Sequence, residues 1–480
     1  MNRTATLRTS KNAFMLLAGT MTRMIASFVF VIYCSAILGV DGFGIFTIAT
    51  HYLDLFMSLT AAAVGILLTR DIARWPRHLN QLLGTAVALV CLLAGLSPLI
   101  MYGISRMFGY SAETHDAMMI AAMALIPAAI AIVLEAVFVA LERAEFVTIG
   151  SAIDSIVRIG LGVAVLALGY GLNGLMWSLV VVRVLLCIAY LIMLRRLVVV
   201  RLTFHRRRAF RFIRRWRVFA AENWMATIYT NLDVILLSWL SGEHAVGLYS
   251  AAWKIVRLGT VVAKSYTTAI YPVMSRMFSQ SRDSFDNLYR HTIRIMCTLA
   301  LPAIAVITVI PDRMIDLIFE PEYAEAAAVL QVLIWVLLIE FLNPFLSHVL
   351  FAQGKQERSM IVAAISLSVN LVATYLLIES FGAVGAAAGT ILGGFVATCC
   401  YLSFANPPQQ IMLTAWGVLR VFCAAAGLGL AVANTRDLPW LAIIPLCVVV
   451  YTLLLFLVGA VRLDDVRYFK TTFLNRATTP

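Results

Sequence analysis

Charge is what this chain has least of. Only 13% of its 480 residues are Asp, Glu, Lys or Arg, against 62% hydrophobic, while water-soluble domains carry about 25% charged residues. No soluble fold can hide that much apolar surface, so the composition specifies a polytopic membrane protein of all-α class. Acids are scarcer than bases, 25 against 37, but the net charge of +12 does not signal nucleic-acid binding, because the cations sit in short loops on one side of the expected spans. Cysteines 34, 91, 187, 297, 399, 400, 423 and 447 fall inside apolar segments without CxxC spacing or a His pair, which argues for small packing residues and implies neither disulfide nor metal. The chain has no P-loop, GxGxxG, HExxH or GxSxG motif. ATP hydrolysis and standard hydrolytic chemistry therefore have no visible seat. No loop is long enough for an extramembrane catalytic domain, so the expectation is transport rather than an enzyme, with no cofactor.

The most basic stretch is Arg195 to Arg217, with ten arginines and no acid. Such a run stays on the cytoplasmic side, fixes the topology and meets lipid headgroups. Helices crossing about 30 Å of hydrocarbon need about twenty apolar residues, and about fourteen such segments are expected. They lie near 13–38, 45–69, 82–104, 117–141, 146–168, 174–194, 218–240, 245–268, 292–311, 326–351, 359–380, 384–403, 413–434 and 438–461. Counted from inside, the internal loops take nearly all the arginines and lysines, whereas one external loop is acidic (Asp312, Asp316, Glu320, Glu322, Glu325). The asymmetry puts both termini in the cytoplasm. The N-terminus lacks a small-residue cleavage site, so the first span is expected to stay as an anchor.

An internal repeat divides the chain. The corner Leu38-Gly39-Val40-Asp41-Gly42-Phe43-Gly44-Ile45-Phe46 returns as Leu240-Ser241-Gly242-Glu243-His244-Ala245-Val246-Gly247-Leu248-Tyr249, placing Gly44 on Gly247. A second echo pairs Gly171 and Gly174 with Gly382 and Gly385. Six-helix sets of equal orientation follow: a first bundle over 1–194, an Arg-rich linker over 195–217, a second bundle over 218–403, and two extra helices with a tail over 404–480. Gly385, Gly389 and Gly393 form a small-residue stripe suited to close helix contact.

These motifs carry a family resemblance. The corner Gly42 to Phe46, the run Asn231-Leu232-Asp233 leading to Gly247-Leu248-Tyr249, and Phe319-Glu320-Pro321-Glu322-Tyr323 resemble the polysaccharide-transport branch of the MOP (MATE-like) superfamily. So do Ala352-Gln353-Gly354-Lys355, Asn370 and Gly382-Ala383-Val384-Gly385. The resemblance implies two six-helix bundles in a MATE-like fold and a Wzx-type flippase in a bacterial inner membrane. Its cargo would be a polyprenyl-diphosphate-linked oligosaccharide moved by alternating access. Membrane lipids, a glycan polymerase partner and a coupling proton or sodium ion are the further expected partners. A multidrug or cation antiporter and a peptidoglycan lipid-precursor flippase share the fold and stay open.

Charges inside the spans are the functional candidates, because each costs several kcal/mol in lipid unless it is paired or faces water. The cations are Arg23, Arg158, Arg183, Lys254 and Arg257; Arg offers a bidentate fork and Lys a point charge, both suited to a diphosphate. For Arg23 and Arg183 a ligand role is preferred over interhelical pairing, whereas Arg158 has Asp154 one turn away and an ion pair is equally expected. Lys254 and Arg257 have Glu222 and Asp233 as possible partners. For ion coupling the candidates are Glu135, first in rank, with Asp154 and Asp233. His51 is expected to be a polar packing residue.

Overall fold

The computed structural model describes the backbone of residues 3–198, 206–405 and 408–460, and side chains within 25–198, 209–405 and 415–460 apart from Val218, Glu222, Ala226 and Arg282. Arg23 and Glu222 thus lie outside the described side chains.

The chain is a succession of helices, with no strand among the described residues. α1 (Arg3–Met57) runs through one π-helical turn (Ser58–Ala62) into α2 (Ala63–Arg74). There follow α3 (Leu79–Met107), α4 (Ala112–Met123), α5 (Leu125–Ala140), α6 (Ala144–Ala167), α7 (Gly171–Leu197) and the 75-residue α8 (Arg206–Gln280). The remainder comprises α9 (Arg282–Val309), α10 (Pro311–Ile318), α11 (Ala326–Leu333), α12 (Val336–Ala352), α13 (Gln356–Ala405), α14 (Pro408–Asn434) and α15 (Trp440–Leu457). Ten helical runs among the described residues are long and apolar enough to cross a membrane, two of them 50 residues long. The figure of fourteen stays an expectation from the sequence.

A 50-residue helix would be about 75 Å long, far more than one bilayer, and glycines turn these helices back. Gly39 in α1 (φ 66°), Gly242 in α8 (φ 78°) and Gly382 in α13 (φ 53°) occupy the left-handed half of φ space, which residues with a Cβ rarely enter. In α13 the consequence is visible: Gly385 lies against the Leu377 carbonyl, Gly389 against Thr374, and Gly393 against Asn370 and Ser366. The small-residue stripe is the closed seam of an antiparallel hairpin.

By packing, the chain forms two compact units, one of residues 14–247 and one of 248–480 with 1–13. The first arm of α8 packs with the first unit. A polar seam gives the reason. His51 Nδ1 meets Asn231 Oδ1 at 2.9 Å, Ser58 meets Thr227 at 2.5 Å, and Trp224 Nε1 donates to the Leu59 carbonyl at 2.9 Å. The π turn falls at this seam, where its widened backbone offers Leu59 and Ser58 carbonyls to Trp224 and Asn223.

Within the first unit α5 packs against α2, α3 and α7, and α6 pairs with α7. The 38–46 corner and its echo cross each other reciprocally. Gly44 lies on the Glu243 carbonyl and Gly247 on the Val40 carbonyl, the two contacts exchanging by the same 203-residue step, while Asp41 meets its own counterpart His244 at 2.7 Å. The repeat seen in the sequence is therefore a pseudo-twofold contact in space, self-complementary as such axes require. Gly171 (φ 56°) likewise shares its unusual conformation with Gly382. In the second unit α12 packs on α13, and α14 lies along α9 with α15 beside it; Tyr451 donates to the Thr298 carbonyl at 3.0 Å.

Candidate functional site

Three helices of the first unit bring four candidates together. α6 carries Asp154 and Arg158 one turn apart, α7 carries Arg183, and α5 carries Glu135. The Arg183 guanidinium donates to Asp154 across the helix pair at 2.9 Å, and Arg158 lies 3.9 Å from the other carboxylate oxygen. The interhelical pair is the shorter one. For Arg183 the sequence preference for a ligand over an ion pair is thus modified: it has a carboxylate partner, on the next helix and 29 residues away in sequence, a separation at which local spacing carries no signal.

Tyr190 extends the group. It lies two helical turns beyond Arg183 on the same face of α7, is 1% exposed and hydrogen-bonds Glu135. Its ring sits directly on Gly150, where any Cβ would overlap it, and against Phe138 with centroids 5.5 Å apart. Gly150 is one turn before Asp154, so a single face of α6 supplies both the clearance for the tyrosine and the carboxylate. Glu135 lies in the second half of α5.

The charge balance in this group is uneven. Asp154 answers two guanidiniums, and the Nε atoms of Arg158 and Arg183 are both buried without a hydrogen-bond partner. The Arg158 Nε faces the Asp154 carboxylate at 3.9 Å, too long for a hydrogen bond, so two guanidiniums share one carboxylate and the group as a whole favours a further anionic oxygen.

The second unit holds another cationic surface. The second arm of α8 buries Val256, Ala263, Thr267 and Ile270 on one side, while Arg257 and Lys264 are exposed on the other. They are two turns, or about 10 Å, apart on one stripe. A charge facing hydrocarbon is costly, so a stripe of this kind suits a wet surface or a span end from which Lys264 can snorkel. Arg257 lies over the Trp253 ring at 5.6 Å, and Glu340 of α12 is an acidic neighbour. Lys254 is half-buried beside this stripe, and Asp233 is half-buried next to the His51–Asn231 seam in the first unit.

Sequence reasoning did not single out Tyr190, Trp253 or the Asp71–Arg215 clamp. Tyr190 was within reach of a face argument from Arg183. The clamp was not: Asp71 is fully buried, Arg215 grips its two oxygens at 3.1 and 2.9 Å, and 144 residues separate them.

Family models and fold together place the chain in the MOP superfamily. Solved structures agree in fold. A lipid II flippase MurJ in an inward closed conformation matches with TM-score 0.76 over 92% of this chain and 98% of its own, at 13% identity. An inward-facing multidrug resistance MATE family transporter matches with TM-score 0.66 over 82% and 94%, at 16% identity. The particular family is given by sequence: residues 9–278, more than half of the chain, match the polysaccharide biosynthesis protein family, to which this protein belongs. Residues 219–376 also match the MatE family. Among curated relatives, a probable low-salt glycan biosynthesis flippase of Haloferax volcanii is 25% identical over 37% of this chain and 38% of its own. The capsular polysaccharide biosynthesis protein CapF of Staphylococcus aureus is 24% identical over 38% and 46%. The matched stretch spans less than half the length of either.

Proposed function

We propose that this protein is a flippase for polyprenyl-diphosphate-linked oligosaccharide, working by alternating access in a bacterial inner membrane with both termini in the cytoplasm. The observation that carries the reading is the Asp154–Arg158–Arg183 group, whose two guanidiniums outnumber their carboxylate and keep buried Nε donors unsatisfied. A diphosphate supplies the missing acceptors, and guanidinium forks suit its geometry. Arg257 and Lys264 give the second unit a cationic surface of the same preference, with Lys254 alongside and Trp253 as a flat face for a sugar ring. Arg23 keeps its proposed diphosphate role from the sequence.

The family and the relatives named for glycan flipping and capsular polysaccharide support this substrate class. Ion coupling is assigned to Glu135, held by Tyr190 and close enough to Asp154 for the two carboxylates to repel, with Asp154 and Asp233 as further carriers of a proton or sodium ion. A glycan polymerase is the expected partner. The MatE match over 219–376 favours a second reading, an antiporter of organic cations.

Proteoliposomes separate the two. A fluorescent polyprenyl-diphosphate oligosaccharide should be flipped by the wild type, lost in Arg183→Ala and partly kept in Arg183→Lys. Absence of wild-type flipping together with pH-driven efflux of organic cations would move the protein to the antiporter reading.

A further inference from the structure

The first arm of α8 carries a continuous exposed stripe. Its inner part is apolar, with Ile228 43%, Met225 46% and Trp224 37% exposed, and its outer part carries Arg217, Arg214 and a 70% exposed Phe210. From Ile228 to Arg217 the helix rises about 16 Å, half the thickness of a hydrocarbon core. A face that meets lipid tails at Ile228 therefore reaches the headgroups at Arg217 and Arg214.

The opposite face holds this end in place. Phe212 and Trp216 are buried, and Arg215 clamps the fully buried Asp71 at the end of α2. The clamp also stands Arg215 over Trp75 at 5.9 Å, which draws the exposed Arg74, Trp75 and Arg77 of the α2–α3 corner to the side of α8. Among the described residues, Arg74, Arg77, Arg211, Arg214 and Arg217 have no carboxylate partner, since Asp71 is taken by Arg70 and Arg215.

We propose that this end of the first unit is a composite binding platform for anionic phospholipid headgroups, assembled from two chain segments by the Asp71–Arg215 clamp. Its ligand is the monoanionic phosphodiester of a lipid such as phosphatidylglycerol. Charge complementarity and position both select it. Unpaired guanidiniums sit where an apolar helix face leaves the hydrocarbon, and the exposed aromatics Trp75 and Phe210 beside them suit the interfacial layer. This platform stands independently of the substrate assignment.

The test uses the full chain in detergent micelles with equimolar phosphatidylglycerol and phosphatidylcholine, read by native mass spectrometry. Wild type should retain phosphatidylglycerol in preference. Arg214→Gln/Arg217→Gln should weaken that retention roughly fivefold for each arginine, about 25-fold together, with phosphatidylcholine unchanged. Arg214→Lys/Arg217→Lys should keep most of it. If the glutamine variant fails to fold, the wild type alone still decides, because raising salt from about 0.1 M to 1 M shortens the Debye length from about 10 to 3 Å and should strip phosphatidylglycerol selectively. Equal retention of the two lipids, undiminished retention in the glutamine variant, or one-for-one displacement by a polyprenyl diphosphate would overturn the proposal, the last by making the platform a substrate site.

Discussion

Asp154→Asn should make the protein less stable and yet bind diphosphate more tightly. The carboxylate holds Arg183 at 2.9 Å and Arg158 at 3.9 Å, and its loss leaves two facing cations. Breaking a fully buried pair costs about 3–5 kcal/mol. Here Asp154 and Arg183 each retain 18% side-chain exposure and Arg158 36%, so water relieves part of the penalty and about 2–3 kcal/mol is expected. A double-mutant cycle with Arg183→Gln should return a coupling of about 2 kcal/mol, and one with Arg158→Gln less than about 1 kcal/mol, because that contact is longer and wetter. For a diphosphate held about 6–8 Å from the lost charge at an effective dielectric near 20, removing the repulsion is worth about 2–3 kcal/mol for each of its negative charges. Binding of a short-chain polyprenyl diphosphate, measured calorimetrically in nanodiscs, should then tighten more than tenfold, with flipping slowed by retarded release. A coupling to Arg183 below about 0.5 kcal/mol, or affinity unchanged or weakened in a folded Asp154→Asn, would refute the reasoning.

Other consequences follow from contacts elsewhere. Gly44→Ala and Gly247→Ala should each destabilise by about 1–3 kcal/mol, because the added Cβ meets backbone that cannot yield; Gly103→Ala, whose Cβ meets nothing within 4 Å, should leave the thermal midpoint unchanged or raise it. Asp71→Asn should cost about 2–3 kcal/mol, less than a fully buried pair because Arg215 is 38% exposed, and a proteolysis assay should show faster cleavage near Arg206–Arg217. Glu243, at the α8 corner, is partly buried, which alone would raise its pKa, but hydrogen bonds from Ser111 and Thr114 hold it below its ordinary value of 4.5. A depressed pKa contributes stability above the unfolded value and loses it as pH falls through the folded one. The wild type should therefore lose more of its thermal midpoint between pH 7 and pH 3 than Glu243→Gln does.

The chain's long apolar runs determined its class before any contact was known, since in lipid only helices and closed barrels satisfy the backbone and runs of about twenty apolar residues are the length of a helix, not of a strand. The repeat, too, was written locally. Gly39 and Gly242, or Gly171 and Gly382, declare themselves by spacing because left-handed corners favour glycine wherever they occur. Candidate charges were found for the same kind of reason, as an arginine amid leucines is conspicuous whatever surrounds it. Spacing could not supply the partners. Arg183 meets Asp154 and Arg215 meets Asp71 across 29 and 144 residues, and no periodicity links such positions. Nor could hydropathy place the first arm of α8 in the first unit, because hydropathy measures affinity for lipid and is blind to which neighbour shares a lipid environment. That choice came from the Ser58–Thr227 and His51–Asn231 hydrogen bonds, polar groups that had to find one another once lipid excluded water.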